Sequence, residues 1–311
     1  MTRRRMPPRP APACRATLAA SVAVALLAAA CGQAASDPPS LAPTGTPLPT
    51  AVTTTYPLET TAWYAGLIIH VDAASSVLDE GGGAVTVDLR LENPGTELAT
   101  LNVAVLLAAG GRGIEPVRGT VIPDVPPGTS VGTTLQFDVD GTFDVPSAAL
   151  RIGRTAEHLV IVPLVPGSQA ASTLEPQALA LTGSATAGSL TVTLAGGELR
   201  ADLPDWGLEL PRGTMALSVT YTARYRGDFA GGFAFTGANI GLRLPDGTVI
   251  GARTDGHSQS AVVLEPGVAV PGLFARFEVP APAAGSYALV VRDGSARASI
   301  PFTIDEVGPP G

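Results

Sequence analysis

The sequence predicts an all-β chain: two tandem antiparallel β-sandwiches that follow a signal peptide and a disordered tether. Three observations predict it. Hydrophobic residues reach 45% but aromatics only 5%, so the apolar mass is aliphatic, and 36 Gly and 29 Pro supply turns between short segments. Those segments alternate apolar and polar residues with the period of two that marks a half-buried strand. The same order of segments occurs twice, which makes the body a tandem repeat.

Five arginines (Arg3, Arg4, Arg5, Arg9, Arg15) precede an uncharged apolar run from Ala16 to Ala30. This run has 15 residues, short of the roughly 18 that a membrane-spanning helix needs, so residues 1–30 read as a cleaved signal peptide. The end of the run, Leu26-Leu27-Ala28-Ala29-Ala30-Cys31-Gly32, resembles the lipobox of bacterial lipoproteins. The resemblance implies lipidation of Cys31, which becomes the mature N-terminus and anchors the protein to the cell membrane or outer membrane on the extracytoplasmic face. Gly32, rather than Asp, implies the outer membrane in a Gram-negative cell. Each buried methylene contributes about 0.8 kcal/mol, so two or three acyl chains hold durably. The alternative is an ordinary secreted protein cut near Ala30. The other cysteine, Cys14, lies in the leader, so the exported part has no internal disulfide and rests on core burial.

Residues 31–56 are rich in Pro, Ser, Thr, Ala and Gly without an apolar period, and are expected to form a disordered tether. In polyproline II form it could lift the body roughly 75 Å from the lipid, at about 3.1 Å per residue.

The first sandwich is assigned to 57–165 and the second to 174–305, with a linker over Val165–Ser172. The units open with Leu67-Ile68-Ile69-His70-Val71 and Leu190-Thr191-Val192-Thr193-Leu194. Val85, Val87, Leu89 and Leu91 then face one way, matched by Leu217, Val219, Tyr221 and Ala223. Asn102-Val103-Ala104-Val105-Leu106 corresponds to Asn239-Ile240-Gly241-Leu242-Arg243-Leu244, and Pro245-Asp246-Gly247 is a tight hairpin turn. Pro127 stands ten residues before Phe137, and Pro266 eleven before Phe277, which predicts a one-residue bulge in the second copy. Each unit closes with two more strands. About seven short strands per unit define an immunoglobulin-like sandwich. The run Asn93-Pro94-Gly95, Pro127-Gly128 and Phe137-Asp138-Val139 resembles the immunoglobulin-like domains of uncharacterised bacterial lipoproteins. That resemblance implies an extracytoplasmic module of the envelope and no known chemistry.

All 19 basic residues are arginine; with five in the leader, 14 face 27 acids and the exported part carries −13. That balance argues against nucleic acid as a partner. Of three histidines, His70 is expected on a strand surface, His158 at a strand edge and His257 in an exposed loop beside Asp255 and Ser258. Sequence neighbours rarely build a catalytic triad, so no catalytic residues are assigned. No Cys/His cluster has zinc spacing, and Asp79-Glu80 or Asp202 with Asp205 read as turn residues rather than calcium ligands, so neither metal nor cofactor is expected. Aromatics gather in the second unit: Trp206, Tyr225, Phe229, Phe233 and Phe235. With His257 they form the candidate binding surface, unless they plug the sandwich end. The expected function is a non-enzymatic binding or structural module of the cell envelope, with an envelope protein or cell-wall component as partner. The alternatives are a small-ligand or metal-binding accessory of a transporter, or a hydrolase with an interdomain site.

Overall fold

The computed structural model describes residues 51–307. The signal peptide, Cys31 and residues 31–50 of the tether lie outside the described residues. The described chain is all-β, with three 3₁₀ turns and no α-helix. The first sandwich comprises β1 (Val52–Tyr64), β2 (Leu67–Asp79), β3 (Gly82–Glu92), β4 (Val105–Ala109), β5 (Arg112–Ile114), β6 (Ser130–Asp140), β7 (Ala149–Ile152) and β8 (Val160–Pro163). One sheet has the order β1-β2-β3-β6 and the other β5-β4-β7-β8.

The second unit holds β9 (Gln177–Leu179), β10 (Ser184–Ala187), β11 (Leu190–Arg200), β12 (Asp202–Leu203), β13 (Leu208–Glu209), β14 (Thr214–Tyr225) and β15 (Phe233–Phe235). It continues with β16 (Ile240–Arg243), β17 (Val249–Gly251), β18 (Val262–Leu264), β19 (Ala269–Pro280), β20 (Gly285–Asp293) and β21 (Ala296–Ile304). Its sheets run β10-β11-β14-β19, with β9 also on β11, and β17-β16-β20-β21. The two units therefore share one connectivity, that of an immunoglobulin-like sandwich with an added edge strand.

Register shows the repeat residue by residue. Ile69 pairs with Leu91 in β2–β3, and Val192 with Ala223 in β11–β14. Val85 pairs with Phe137, and Leu217 with Phe277. Both copies carry a bulge at the same place, after Val71 and after Leu194. The extra residue expected in the second copy is present: β14 advances two residues from Tyr221 to Ala223 while β19 advances three from Leu273 to Val270. The β3–β6 ladder has no such shift.

The alternating residues face inward as the pattern requires. Val85, Val87, Leu89 and Leu91 are buried, as are Leu217, Val219, Tyr221 and Ala223. Each sandwich has its own core, the first drawn from residues between Leu58 and Leu164 and the second from residues between Leu181 and Ile304.

Three expectations need correction. The tether does not reach residue 56, because β1 begins at Val52. Pro57 and a bulge at Pro57/Thr60, with Glu59 at φ 44°, break the period of two and hide this strand from pattern reading. The fourth strand starts at Val105, not Asn102; Val105 and Ile240 both begin their ladders against the neighbouring strand, at Ile152 and Val291. A shift of two residues preserves the alternation, so the pattern could not detect it. Finally, the linker is not free: Ser172 exchanges hydrogen bonds with Ile161, and Thr173 O accepts from Trp63 N–H at 2.8 Å, so the linker caps the edges of both sheets.

Phe137 and Phe277 are fully buried at matching positions. Phe137→Ala and Phe277→Ala should each destabilise the protein by about 3–5 kcal/mol in denaturant unfolding. An unchanged midpoint for either would contradict the register.

Candidate binding groove at the sandwich junction

The second copy differs from the first by an insertion. Equivalent residues are 123 apart at Leu67/Leu190 but 132 apart at Leu91/Ala223, so nine residues are added between the second copy's first two core strands. In the first copy a tight turn joins β2 to β3. In the second, the chain leaves the sheet as the ribbon β12–β13, with a 3₁₀ turn over Pro204–Trp206 between the two strands. Pro204 opens that turn and Gly207, at φ 56°, closes it in the left-handed conformation with its N–H on Pro204 O. Leu203, Leu210 and Ala216 form a small core beneath the ribbon.

This ribbon holds the first sandwich. Asp202 and Glu209 are cross-strand partners, both buried. Glu209 Oε2 accepts from Ala65 N–H at 3.0 Å and Asp202 Oδ2 from Gly66 N–H at 2.7 Å. Ala65 (φ 48°) and Gly66 (φ 83°) form the β1–β2 turn, and consecutive N–H groups in that conformation make an anion-binding concavity. A Cβ on Gly66 would stand 2.7 Å from Pro204 O and 2.9 Å from its Cα, so the approach requires glycine. Further contacts come from the β7–β8 turn. Arg212 N–H donates to Ala156 O at 2.9 Å, and the buried His158 places Nε2 2.8 Å from Thr214 O. His158 is thus not at a solvated edge but inside the junction, because the ribbon covers that edge.

The junction is rich in acid. Arg200 clasps Asp202 through Nε at 2.7 Å and also reaches Glu198. Glu209 forms no ion pair among the described residues. Burial, and then the charge of Asp202, push its carboxyl up to about 9 against the opposing Ala65 N–H bond. Both causes favour the neutral form of Glu209 over the charged one. On the facing side Tyr64 donates its hydroxyl to Glu157 Oε2 at 2.6 Å, and Arg154 donates to Glu157 Oε1 at 3.0 Å. Burial and then that bond raise the Tyr64 hydroxyl well above its ordinary range. Burial opposes the charge on Glu157, but these two donors outweigh it and hold it below its ordinary value.

The equivalent turn of the second sandwich is capped from within. Ser189 occupies the place of Gly66, and its N–H donates to Asp293 Oδ2 at 2.8 Å, joined by its hydroxyl at 2.7 Å. The same backbone donor meets a carboxylate in both copies, once from the neighbouring sandwich and once from its own β20–β21 turn.

Above the latch the two sandwiches enclose a groove of about 300 Å³. One wall is the β3–β4 loop, Asn93–Thr100; the other is the 3₁₀ turn with His257. Leu98 on one wall and Trp206 on the other are 61% and 49% exposed, far above a packed core residue. Trp206 is held where it is. Its Nε1–H donates to Asp255 Oδ1 at 3.3 Å, and the His257 ring meets it edge-to-face at 5.0 Å. Asp255 is in turn bound by Arg253 Nε at 2.7 Å, and Arg253 pairs with Glu278. Burial works against the Asp255 charge, but hydrogen bonds from Ser258, Arg253 and Trp206 outweigh it and keep the carboxyl at about 2. Asp205 pairs with the buried Arg276 at 3.0 Å. The loop that carries Asp255 and His257 is fixed along the β19 edge, where Ser258 O accepts from Arg276 N–H at 2.8 Å.

The six residues expected to form one binding surface separate into three groups. Trp206 and His257 meet in the groove. Phe235 is fully buried against Tyr221, and Tyr225 is buried with Phe233 stacked on it at 5.6 Å, so these three serve the core. Phe229 is exposed in another loop, away from the groove lining. Tyr225 continues the inward face of Leu217, Val219, Tyr221 and Ala223 on β14, and Phe235 faces the core from β15. His70 lies half-buried on β2 between Thr61 and Glu92. Asp79 caps its own turn through Gly81 N–H at 2.7 Å. Glu209, Glu157, Tyr64 and Gly66 carry no motif; the repeat offset that jumps by nine residues was the signal that could have led to them.

No family model matches this chain, and no curated protein matches it. Among solved structures, a conserved hypothetical protein from Bacillus anthracis aligns with 34% of this chain and 92% of its own, at 8% identity and a TM-score of 0.27. A conserved domain protein from Bacillus anthracis aligns with 80% of this chain and 90% of its own, at 7% identity and a TM-score of 0.22.

Two predictions test the junction. Gly66→Ala should destabilise it by about 1–3 kcal/mol through strain at positive φ, and by more through the Pro204 clash. Gly119→Ala, at φ 93° with open space around it, should show only the strain; equal losses in the two variants would argue against the close approach. For Glu209 the folded state holds a proton that the unfolded chain releases above its ordinary value near 4.5. Stability should therefore fall as pH rises from 4.5 through about 9. Glu209→Gln should flatten that fall and melt higher than wild type above pH 9, read by thermal unfolding across the range.

Proposed function

We propose that this chain is a lipid-anchored, extracytoplasmic binding module of the cell envelope and that its recognition site is the groove at the sandwich junction. The observation that carries the reading is Trp206, a large ring held half exposed in a concave site between two domains. Such positions favour ligands, since side chains from two rigid bodies converge there. The address rests on the leader, whose charged, apolar and small-residue order ends at Cys31. A net charge of −8 for the whole chain favours cationic or neutral partners over nucleic acid.

One observation favours an interdomain enzyme instead. A recess of about 180 Å³ is lined by Tyr64, Arg154, Glu157 and Glu209, three of which have displaced proton affinities. Those groups face one another, however. Tyr64 is committed to Glu157, and the second Glu209 oxygen is buried from solvent. The recess thus offers no open nucleophile or base, and we retain the binding reading.

Two measurements test it. Cys31→Ala should abolish incorporation of labelled palmitate and either release the protein from the membrane fraction or leave it as the unprocessed precursor; retained label, or a processed protein that stays in the membrane fraction, would refute the anchor. A photo-crosslinking residue at Leu98, on the groove wall, should capture an envelope component in intact cells, whereas one at the exposed Val77 should not. Equal capture at both positions would reject the groove as the recognition site.

A further inference from the structure

We infer that the groove recognises an alkylammonium group, seated on the Trp206 ring and met by carboxylates of both sandwiches. This rests on the reading of the groove as a binding site and assigns its ligand chemistry. Aromatic faces attract cations through the ring quadrupole, and indole does so best. Here the indole is fixed before any ligand arrives: its N–H is engaged by Asp255, and His257 closes one side. Little ordering is then required on binding.

The charged groups lining the groove are acidic. Glu97 stands on the β3–β4 wall with its carboxylate in no ion pair among the described residues. Asp205 stands on the opposite wall, beside Trp206, and shares its charge with Arg276. Neither Arg nor Lys is among the residues that line the groove, although His257 is. Leu98 adds an apolar contact for the carbons of an alkyl chain. An anionic ligand would meet the unpaired carboxylate of Glu97, with Asp205 partly neutralised by Arg276. A neutral sugar could stack on Trp206 but would gain nothing from Glu97's charge.

The experiment uses full-length protein in detergent, carrying Trp63→Phe so that Trp206 is the one emitting indole. Its fluorescence is titrated with choline, with Nα-acetyl-lysine amide, with 3,3-dimethylbutanol (the uncharged isostere of choline) and with cellobiose. The expected result is a saturable change for an ammonium compound at least about tenfold tighter than for the isostere, weakened by salt. Whichever of choline and the lysine amide binds more tightly identifies the source as a quaternary headgroup or a protein side chain. Glu97→Gln should weaken that binding about threefold or more. Ligand binding by Trp206→Ala, followed by chemical-shift changes at Leu98, should be lost while its melting temperature stays near that of the parent. Equal affinity for 3,3-dimethylbutanol, or no saturable response to either ammonium compound, would overturn the inference. Tight binding of cellobiose alone would also overturn it while leaving the groove's role as a binding site intact.

Discussion

Two adjacent backbone N–H groups and two buried carboxylates join one sandwich to the other. Ala65 and Gly66 donate to Glu209 and Asp202, and the groove exists because this latch sets one sandwich against the other. Buried charge is costly unless compensated, and the latch compensates one acid with Arg200 and the other with a retained proton. The carboxylates therefore act as acceptors first and as charges second.

The two copies use one device for different ends. Where the first sandwich leaves its turn donors for a neighbour, the second satisfies the matching donor with its own Asp293. The opposite end shows the complementary difference: the first copy turns tightly from β2 to β3, while the second extends the β12–β13 ribbon. The pair thus has one socket and one plug, both consumed within the chain. Other long edges are blunted too, β6 by Val117 N–H on Gln136 O and β19 by the loop that carries His257.

The groove inherits its rigidity from the same parts. Trp206 belongs to the turn that Gly66 contacts, and Asp255 belongs to the loop along β19. A ligand entering the site would touch the plug, the socket's neighbouring loop and the second sandwich at once.

The strands, their inward faces, the repeat and even the single bulge in β19 were legible in the sequence. Each depends on local alternation and on spacing between turn residues, which a linear string preserves. The edge strand β1 was not, because Pro57 and the Glu59 bulge break its period. Trp206 and His257 could be named as candidates, but nothing local brought them to Leu98 and Glu97. That meeting depends on Gly66 fitting against Pro204, a contact between residues far apart in the chain and set by backbone shape. The proton on Glu209 is likewise a property of burial beside Asp202, so composition alone could not reveal it. Alternation determined what each segment becomes; only the packing of one sandwich on the other decided which residues share a site.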